Sequence, residues 1–305
     1  MLRRDILKSA ATMVAASGLN ETAGLAAAGA SSTSHRSAQY VEARDGTELF
    51  VRDWGSGPAI VFASAWALNS QGWQYQMVRL VDAGYRCIAF DRRGHGRSGD
   101  CGGGYDMETL SDDLARVIED RGVSQITLIG HSLGAAECVR YLTRHGQSRV
   151  RKLVLVAPVT PCMRKSADNP DGIDGKVAEG TRALFRADFP GIVAANIKPF
   201  VVPQTSQAMI DWIQRMMSQA SLQALVECNR AFGEADFRSE LPKIAVPTLI
   251  VQGDADASAP LPLTGKKTVA LIPNSRLIVY EGAPHGLIYT HMDRLNGDLL
   301  EFLKT

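Results

Sequence analysis

The sequence predicts an α/β fold with a mostly parallel, eight-stranded sheet that helices cover on both faces. Three observations favour this fold. Short apolar segments alternate with helix-like segments, a tight turn of small residues joins one such pair, and one long helical stretch interrupts the alternation. Alternation of this kind is typical of parallel sheets, because each helix returns the chain across a face of the sheet.

The predicted strands are short, apolar and bounded by turn residues. A hairpin around Asp45-Gly46 joins the first two strands, at residues 39–43 and 47–54. The later strands are predicted at residues 59–62, 86–90, 126–129, 153–156, 248–251 and 277–280. Helices are predicted between them at residues 73–82, 107–121, 133–144, 263–271 and 287–303. Residues 39–158 and 243–305 are therefore predicted to form one core.

The long stretch at residues 159–242 contains no convincing buried strand. Prolines separate three helix-like segments within it, at residues 176–188, 206–217 and 221–232. Because it lies between two strands of the core, we expect a helical cap, or lid, that roofs a pocket and excludes water. The alternative is a cap that only covers the end of the sheet.

The tight turn is Gly130-His131-Ser132-Leu133-Gly134, between a predicted strand and a predicted helix. This context is typical of a nucleophile elbow, which lifts a serine hydroxyl clear of the sheet. Two partners follow in the order that such sites use, each in a loop after a strand: Asp256, after the cap, and His285. We assign Ser132 as the nucleophile, His285 as general base and acid, and Asp256 as the carboxylate that orients the histidine.

Asp254 competes with Asp256, and the pattern of residues alone does not choose between them. His131 is interpreted as a packing residue. The remaining histidines show no metal-ligand spacing, so neither a metal nor another cofactor is expected.

The composition fits a globular enzyme. The chain has 305 residues, is 45% hydrophobic and carries a net charge of only +1, which excludes a broad basic surface for nucleic acid. Its five cysteines form no close pair, so no disulfide framework is expected. A small molecule is the expected partner, and a homo-oligomer is compatible with the sequence.

The first thirty residues differ in character from the rest. Arg3-Arg4 is followed by apolar residues, an alanine-rich stretch and the small residues Ala28-Gly29-Ala30. We interpret residues 1–30 as a twin-arginine export signal and residues 31–38 as a linker, which predicts a periplasmic or secreted protein without a stable membrane span after cleavage. The alternative is an N-terminal extension on a cytoplasmic protein.

From about residue 38 onward, the chain resembles the α/β-hydrolase superfamily, and more closely its cofactor-free bacterial chloroperoxidase, perhydrolase and aryl-esterase group. The resemblance lies in residues 90–98, 139–146, 209–212, 253–256 and 282–287. In that group the acid is the later aspartate of its loop, which favours Asp256 over Asp254.

The chain departs from this family after the third strand, where a His-Gly pair is usual and Ser64-Ala65 stands here. The resemblance implies that the backbone amides of Trp66 and Leu133 form the oxyanion hole. We expect the Ser64 hydroxyl to replace a contact of the missing histidine, and Ser64, Trp66, Phe185 and Trp212 to line the substrate pocket.

The expected reaction is cleavage of a carboxylic ester or lactone through an acyl-enzyme. The resemblance adds a side activity in which hydrogen peroxide replaces water and gives a peracid that oxidises halide. Two alternatives stay open: a catalytically weak, ligand-binding protein with the same fold, and a hydrolase of carbon–carbon or amide bonds.

Overall fold

Eight strands form a single sheet in the computed structural model, which describes residues 39–305. The strand order is β1-β2-β4-β3-β5-β6-β7-β8. The strands are β1 Tyr40–Glu42, β2 Glu48–Trp54, β3 Ala59–Ala63, β4 Arg86–Phe90, β5 Ile126–His131, β6 Val150–Val156, β7 Thr248–Gly253 and β8 Ser275–Tyr280. Strand β2 pairs antiparallel with β1 and β4, and every other pairing is parallel, as predicted. The predicted export signal (1–30) and linker (31–38) lie outside the described residues.

Helices connect the strands. They are α1 Gln74–Asp82, α2 Met107–Asp120, α3 Leu133–Arg144, α4 Gly175–Phe200, α5 Gln207–Met217, α6 Leu222–Glu234, α7 Gly265–Leu271, α8 Leu287–Thr290 and α9 Met292–Lys304. None of the helices in residues 39–305 combines the length and apolar character needed to cross a bilayer.

Alternate side chains of the central strands enter two different cores, one on each face of the sheet. In β3, Ile60 and Phe62 pack in one cluster with Leu80 of α1, whereas Val61 packs in the other cluster with Leu114 of α2. All five of these side chains are fully buried. The sheet is therefore a rigid platform, and the loops after its parallel strands open at one edge.

Helices α4, α5 and α6 lie between β6 and β7, where the sequence predicts the cap. Ser206 and Ser221 cap α5 and α6, because their hydroxyls accept the backbone N–H groups of Met209 and Ala224. These two caps explain why both helices begin where the sequence predicts.

Two helical predictions need correction. Helix α4 does not end at Asp188, because it resumes after a kink there and continues to Phe200. The Asp188 carboxylate accepts the N–H of Gly191 and so caps the second half, in whose first turn Pro190 is tolerated. The helix predicted at 287–303 is two helices, α8 and α9, separated by the non-helical backbone of His291.

Candidate active site

The backbone at Ser132 has an unusual conformation, with φ of 56° between the end of β5 and the start of α3. Small neighbours make this turn sterically feasible. A Cβ atom on Gly130 would lie 2.3 Å from the carbonyl oxygen of Gly134, and one on Gly134 would lie 2.2 Å from the carbonyl oxygen of Ala63. The sequence therefore folds here into the strained strand-turn-helix of a nucleophile elbow, as predicted.

The predicted acid and histidine are in direct contact. Nδ1 of His285 lies 2.8 Å from Oδ2 of Asp256, and both side chains are buried. The other oxygen of Asp256 accepts the backbone N–H groups of Ser258 and Ala259, at 3.0 and 2.8 Å. Because an ionised carboxylate only accepts hydrogen bonds, it keeps the proton on Nδ1 and leaves Nε2 to act as a base.

Asp254, the competing carboxylate, has a different position. It is exposed, and its Oδ1 accepts the backbone N–H of Gly282 at 2.7 Å. This bond joins the loop after β7 to the loop after β8, which carries His285. The structure thus separates the two aspartates: Asp256 binds the imidazole, and Asp254 holds the neighbouring loop.

Ser132 and His285 lie in the wall of the same cavity, which has a volume of about 340 Å³. Its surface is mostly apolar, and the cap supplies much of it.

Trp66 packs against two aromatic side chains of the cap. The centroid of its ring lies 4.9 Å from that of Phe185 and 5.8 Å from that of Phe189. The Trp66 indole is also fixed from the cap, because its Nε1 donates to the carbonyl of Leu225 at 2.8 Å.

Two of the expected pocket residues do not line this cavity. Trp212 packs between the rings of Tyr75 and Tyr289, with centroids 6.0 and 5.9 Å away, because α5 turns this side chain toward α1 and α8. The Ser64 hydroxyl is buried and has no hydrogen-bond partner within residues 39–305. The structure therefore places neither Trp212 nor Ser64 in the wall of the cavity that Ser132 and His285 share, and within residues 39–305 the Ser64 hydroxyl makes no contact of the kind expected for the missing histidine.

Two further histidines, His131 beside His285 and His95 after β4, are buried and neutral. Burial, and then the charge that His285 acquires, lowers the pKa of His131 well below its usual value. Its Nε2 lies 3.0 Å from the carbonyl oxygen of His285, so it supports that loop from behind. Burial, followed by the charge of Arg92, lowers the pKa of His95 to about 3. No cluster of three or more potential metal ligands exists in residues 39–305.

Sequence reasoning missed one buried ion pair beneath the site, between Arg92 and Glu137. Arg92 also donates to the carbonyl oxygens of Ser64 and Ala65. A signal for this pair exists in the sequence, because Glu137 stands among apolar and small residues on the first turns of α3. A charge on a buried helix face requires a partner, but the sequence does not say which one.

Comparison with known proteins gives one family and several similar chains. Residues 58–292 match the family model described as the alpha/beta hydrolase fold. A non-heme chloroperoxidase from Kitasatospora aureofaciens is 42% identical over 270 residues, covering 85% of this chain and 97% of that protein. A bifunctional esterase/perhydrolase from Acinetobacter calcoaceticus is 37% identical over 276 residues, covering 87% of this chain and 99% of that protein.

A solved structure agrees with these matches. The bromoperoxidase from Bacillus anthracis superimposes with a TM-score of 0.84 at 34% identity, covering 87% of this chain and 99% of that one. The sheet order, the elbow and the sequence matches lead to one conclusion. The chain belongs to the α/β-hydrolase family and is a hydrolase with esterases among its relatives.

Proposed function

We propose that this protein cleaves a carboxylic ester or lactone through an acyl-enzyme on Ser132. The observation that carries this proposal is the 2.8 Å bond between His285 and Asp256 beside the cavity that Ser132 also lines. A serine hydroxyl is a poor nucleophile until a neighbouring base takes its proton. An oriented imidazole is the base best suited to do so near neutral pH.

The reaction has two steps. In the first, Oγ of Ser132 bonds to the carbonyl carbon while Nε2 of His285 takes the hydroxyl proton. The carbon–oxygen bond to the alcohol then breaks, and the alcohol leaves with the proton from His285. In the second step, water attacks the acyl carbon and gives a proton to His285, which returns it to Ser132 as the acid departs.

The backbone N–H groups of Trp66 and Leu133 are the proposed donors to the oxyanion. Leu133 is the first residue of α3, where amide groups have no partner within the helix and the helix dipole favours negative charge. Trp66 follows β3 and lies in the wall of the cavity. Donors of this kind stabilise the charge that develops in the transition state.

The shape and chemistry of the cavity support an apolar or aromatic acyl group as the substrate. Phe185 and Phe189 of the cap enclose it together with Trp66. Hydrogen peroxide is small enough to replace water in the second step, which yields a peracid from the same acyl-enzyme. The relative named as a bifunctional esterase/perhydrolase supports this second activity.

Hydrolysis of short p-nitrophenyl esters tests the proposal. We expect turnover by the wild-type protein and a loss of about 1,000-fold or more in kcat for Ser132→Ala and His285→Gln. Equal turnover by Ser132→Ala would contradict the proposed nucleophile. Peracid formation is assayed with the same variants in the presence of hydrogen peroxide.

We also propose that residues 1–30 direct export by the twin-arginine route. The Arg3-Arg4 pair and the small residues before Ser31 support this proposal. Cell fractionation with N-terminal sequencing tests it. Recovery of a chain that begins near Ser31 outside the cytoplasm is the expected result, and an intact chain confined to the cytoplasm would contradict it.

A further inference from the structure

Arg92 is a fully buried arginine that holds the loop leading to Trp66. Its Nη2 donates to the carbonyl oxygen of Ser64 at 2.6 Å, and its Nη1 lies 3.3 Å from the carbonyl oxygen of Ala65. These two carbonyls immediately precede Trp66, whose N–H we assign to the oxyanion hole. One planar guanidinium thus fixes two consecutive peptide groups.

The same guanidinium also contacts helix α3. Both carboxylate oxygens of Glu137 accept from Arg92, through Nε and through Nη2, the latter at 2.9 Å. Glu137 is fully buried and lies one turn after Leu133, the second proposed oxyanion donor. The ion pair therefore ties the loop of one amide to the helix of the other.

The loop needs such support because it is strained. Ala67, directly after Trp66, has φ of 63°, a left-handed conformation that costs an L-residue roughly 1–2 kcal/mol. Strain of this kind persists only where the surroundings over-determine the backbone. The close approach of Gly134 to the carbonyl of Ala63 sets how closely helix α3 packs against the loop after β3. The bonds from Arg92 then fix the orientation of the next peptide groups of this loop, which lead to Trp66.

We propose that the Arg92–Glu137 pair positions the oxyanion hole. The proposal rests on the proposed function, because it concerns the same two amides. Neither side chain lines the cavity, so the pair acts on the reaction only through the backbone of Trp66 and Leu133.

The double variant Arg92→Met/Glu137→Leu removes the pair without leaving a buried charge, which keeps the protein foldable. We expect kcat to fall about 10- to 100-fold while KM changes little, because the lost bonds matter chiefly in the transition state. Labelling of Ser132 by a fluorophosphonate slows similarly. Arg92→Lys is a milder second variant, since one ammonium does not hold two carbonyls and a carboxylate in the same geometry.

The matched control is the neighbouring buried pair of Arg93 and Asp113, which is joined by bonds of 2.6 and 2.8 Å. Arg93 donates to residues of other loops and not to Ser64 or Ala65. Arg93→Met/Asp113→Leu therefore has a similar structural cost but is expected to keep kcat within about threefold.

Two results would overturn the positioning proposal: a wild-type kcat in the folded Arg92→Met/Glu137→Leu variant, or an equal loss of kcat in the control variant. Failure of the wild type itself to hydrolyse esters overturns the proposed function instead.

A second inference concerns a cavity of about 320 Å³ that adjoins the catalytic cavity. We define it as the outer chamber, and it lies between the first half of α4 and the end of α6. The two cavities share five wall residues: Met163, Ile173, Thr181, Asn229 and Phe232. Gly175, Ala178 and Gly233 keep the outer chamber wide.

We infer that the outer chamber is a subsite for a long arm of the ester. This inference also rests on the proposed function. The shared residues are mostly apolar, which suits an alkyl or aryl arm. Asn229 lines both cavities, and its side-chain amide is the group that we expect to bind a polar atom of the arm.

Filling the outer chamber tests this inference. A Cβ atom on Gly233 meets no heavy atom within 4 Å, so Gly233→Phe adds a ring without a backbone clash. Gly180, which is equally open and lines neither cavity, provides the control Gly180→Phe. We expect Gly233→Phe to lower kcat/KM for p-nitrophenyl octanoate about tenfold or more while sparing the acetate, and Gly180→Phe to spare both. Unchanged octanoate hydrolysis in Gly233→Phe overturns the subsite, and wild-type inactivity on both esters overturns the proposed function.

Discussion

The imidazole of His285 and the carboxylate of Asp256 are joined by a 2.8 Å bond, and the second oxygen of Asp256 is held by two backbone amides. Oδ2 also accepts a longer bond, of 3.5 Å, from Nε2 of Gln252, so four bonds fix the carboxylate before any substrate arrives. The bond from the carboxylate also fixes the imidazole, which lies in the wall of the cavity. Preorganisation of this kind is what the proposed role of His285 as a base requires, because no rearrangement is then needed during the reaction.

The two aspartates of the acid loop are expected to respond very differently to the same change. Asp256→Asn presents an amide to Nδ1 and favours the wrong tautomer, so we expect kcat to fall about 1,000- to 10,000-fold. Asp254→Asn keeps an oxygen for the Gly282 amide and is expected to retain kcat within about threefold. Steady-state kinetics on p-nitrophenyl acetate measure both. A larger loss of kcat in Asp254→Asn than in Asp256→Asn would contradict the assignment of Asp256 as the residue that orients His285.

The aromatic wall is expected to determine preference for the acyl group. Phe185→Leu removes the ring that packs on Trp66 at 4.9 Å, so we expect kcat/KM for an aryl ester such as p-nitrophenyl benzoate to fall about tenfold relative to the acetate. Trp212→Phe is the control, because Trp212 packs outside the cavity. A shift in preference caused by Trp212→Phe and not by Phe185→Leu would contradict this placement.

The hydroxyl of Tyr289 is expected to destabilise the protein. It is buried without a hydrogen-bond partner among residues 39–305, and burial raises the pKa of its phenol. Removal of an unpaired buried hydroxyl recovers its desolvation cost, so we expect Tyr289→Phe to raise the free energy of unfolding by about 1 kcal/mol. Urea denaturation measures the change. A decrease would show that the hydroxyl is paired in solution.

Buried His95 is expected to make stability fall with decreasing pH. Burial lowers its folded-state pKa to about 3, whereas the unfolded side chain titrates near 6.5. Between these values the unfolded chain binds the proton, so the stabilising contribution is complete above about pH 6.5 and is lost as the pH falls toward 3. Each such group changes the free energy of unfolding by about 1.4 kcal/mol per pH unit between its two pKa values.

His95→Asn keeps a donor for the Arg93 carbonyl, which Nδ1 of His95 approaches at 3.0 Å. We expect this variant to show a shallower fall in the free energy of unfolding between about pH 6 and pH 4. Chemical denaturation at several pH values measures the slope. An unchanged slope would mean that His95 is charged, or accessible, in the folded protein.

The sheet and the elbow were predictable because each rests on a local signal. Strands such as β3 and β5 are short apolar runs between turn residues, and Gly130 and Gly134 mark a turn that tolerates no Cβ atom. The order of the serine, aspartate and histidine follows from chain connectivity. These features depend on neighbours in the sequence, which a sequence displays directly.

The errors concern contacts between distant segments. Helical spacing shows that Trp212 lies on an apolar face of α5, but it does not show that this face packs against Tyr289. Pro190 suggests that α4 ends before it, whereas the cap formed by Asp188 allows the helix to continue after a kink. Arg92 resembles a surface residue until Glu137 is placed against it. Pairing across such distances is set by tertiary packing, which no single segment encodes.

Covalent labelling of the intact protein by a fluorophosphonate tests the central claim most directly. Mass spectrometry of the labelled protein and its peptides is expected to place one adduct on Ser132 of the wild type. The same treatment of Ser132→Ala is expected to give none, and His285→Gln is expected to react at least about 100-fold more slowly. An unlabelled wild type, or equal labelling of Ser132→Ala, would contradict the nucleophile on which the mechanism depends.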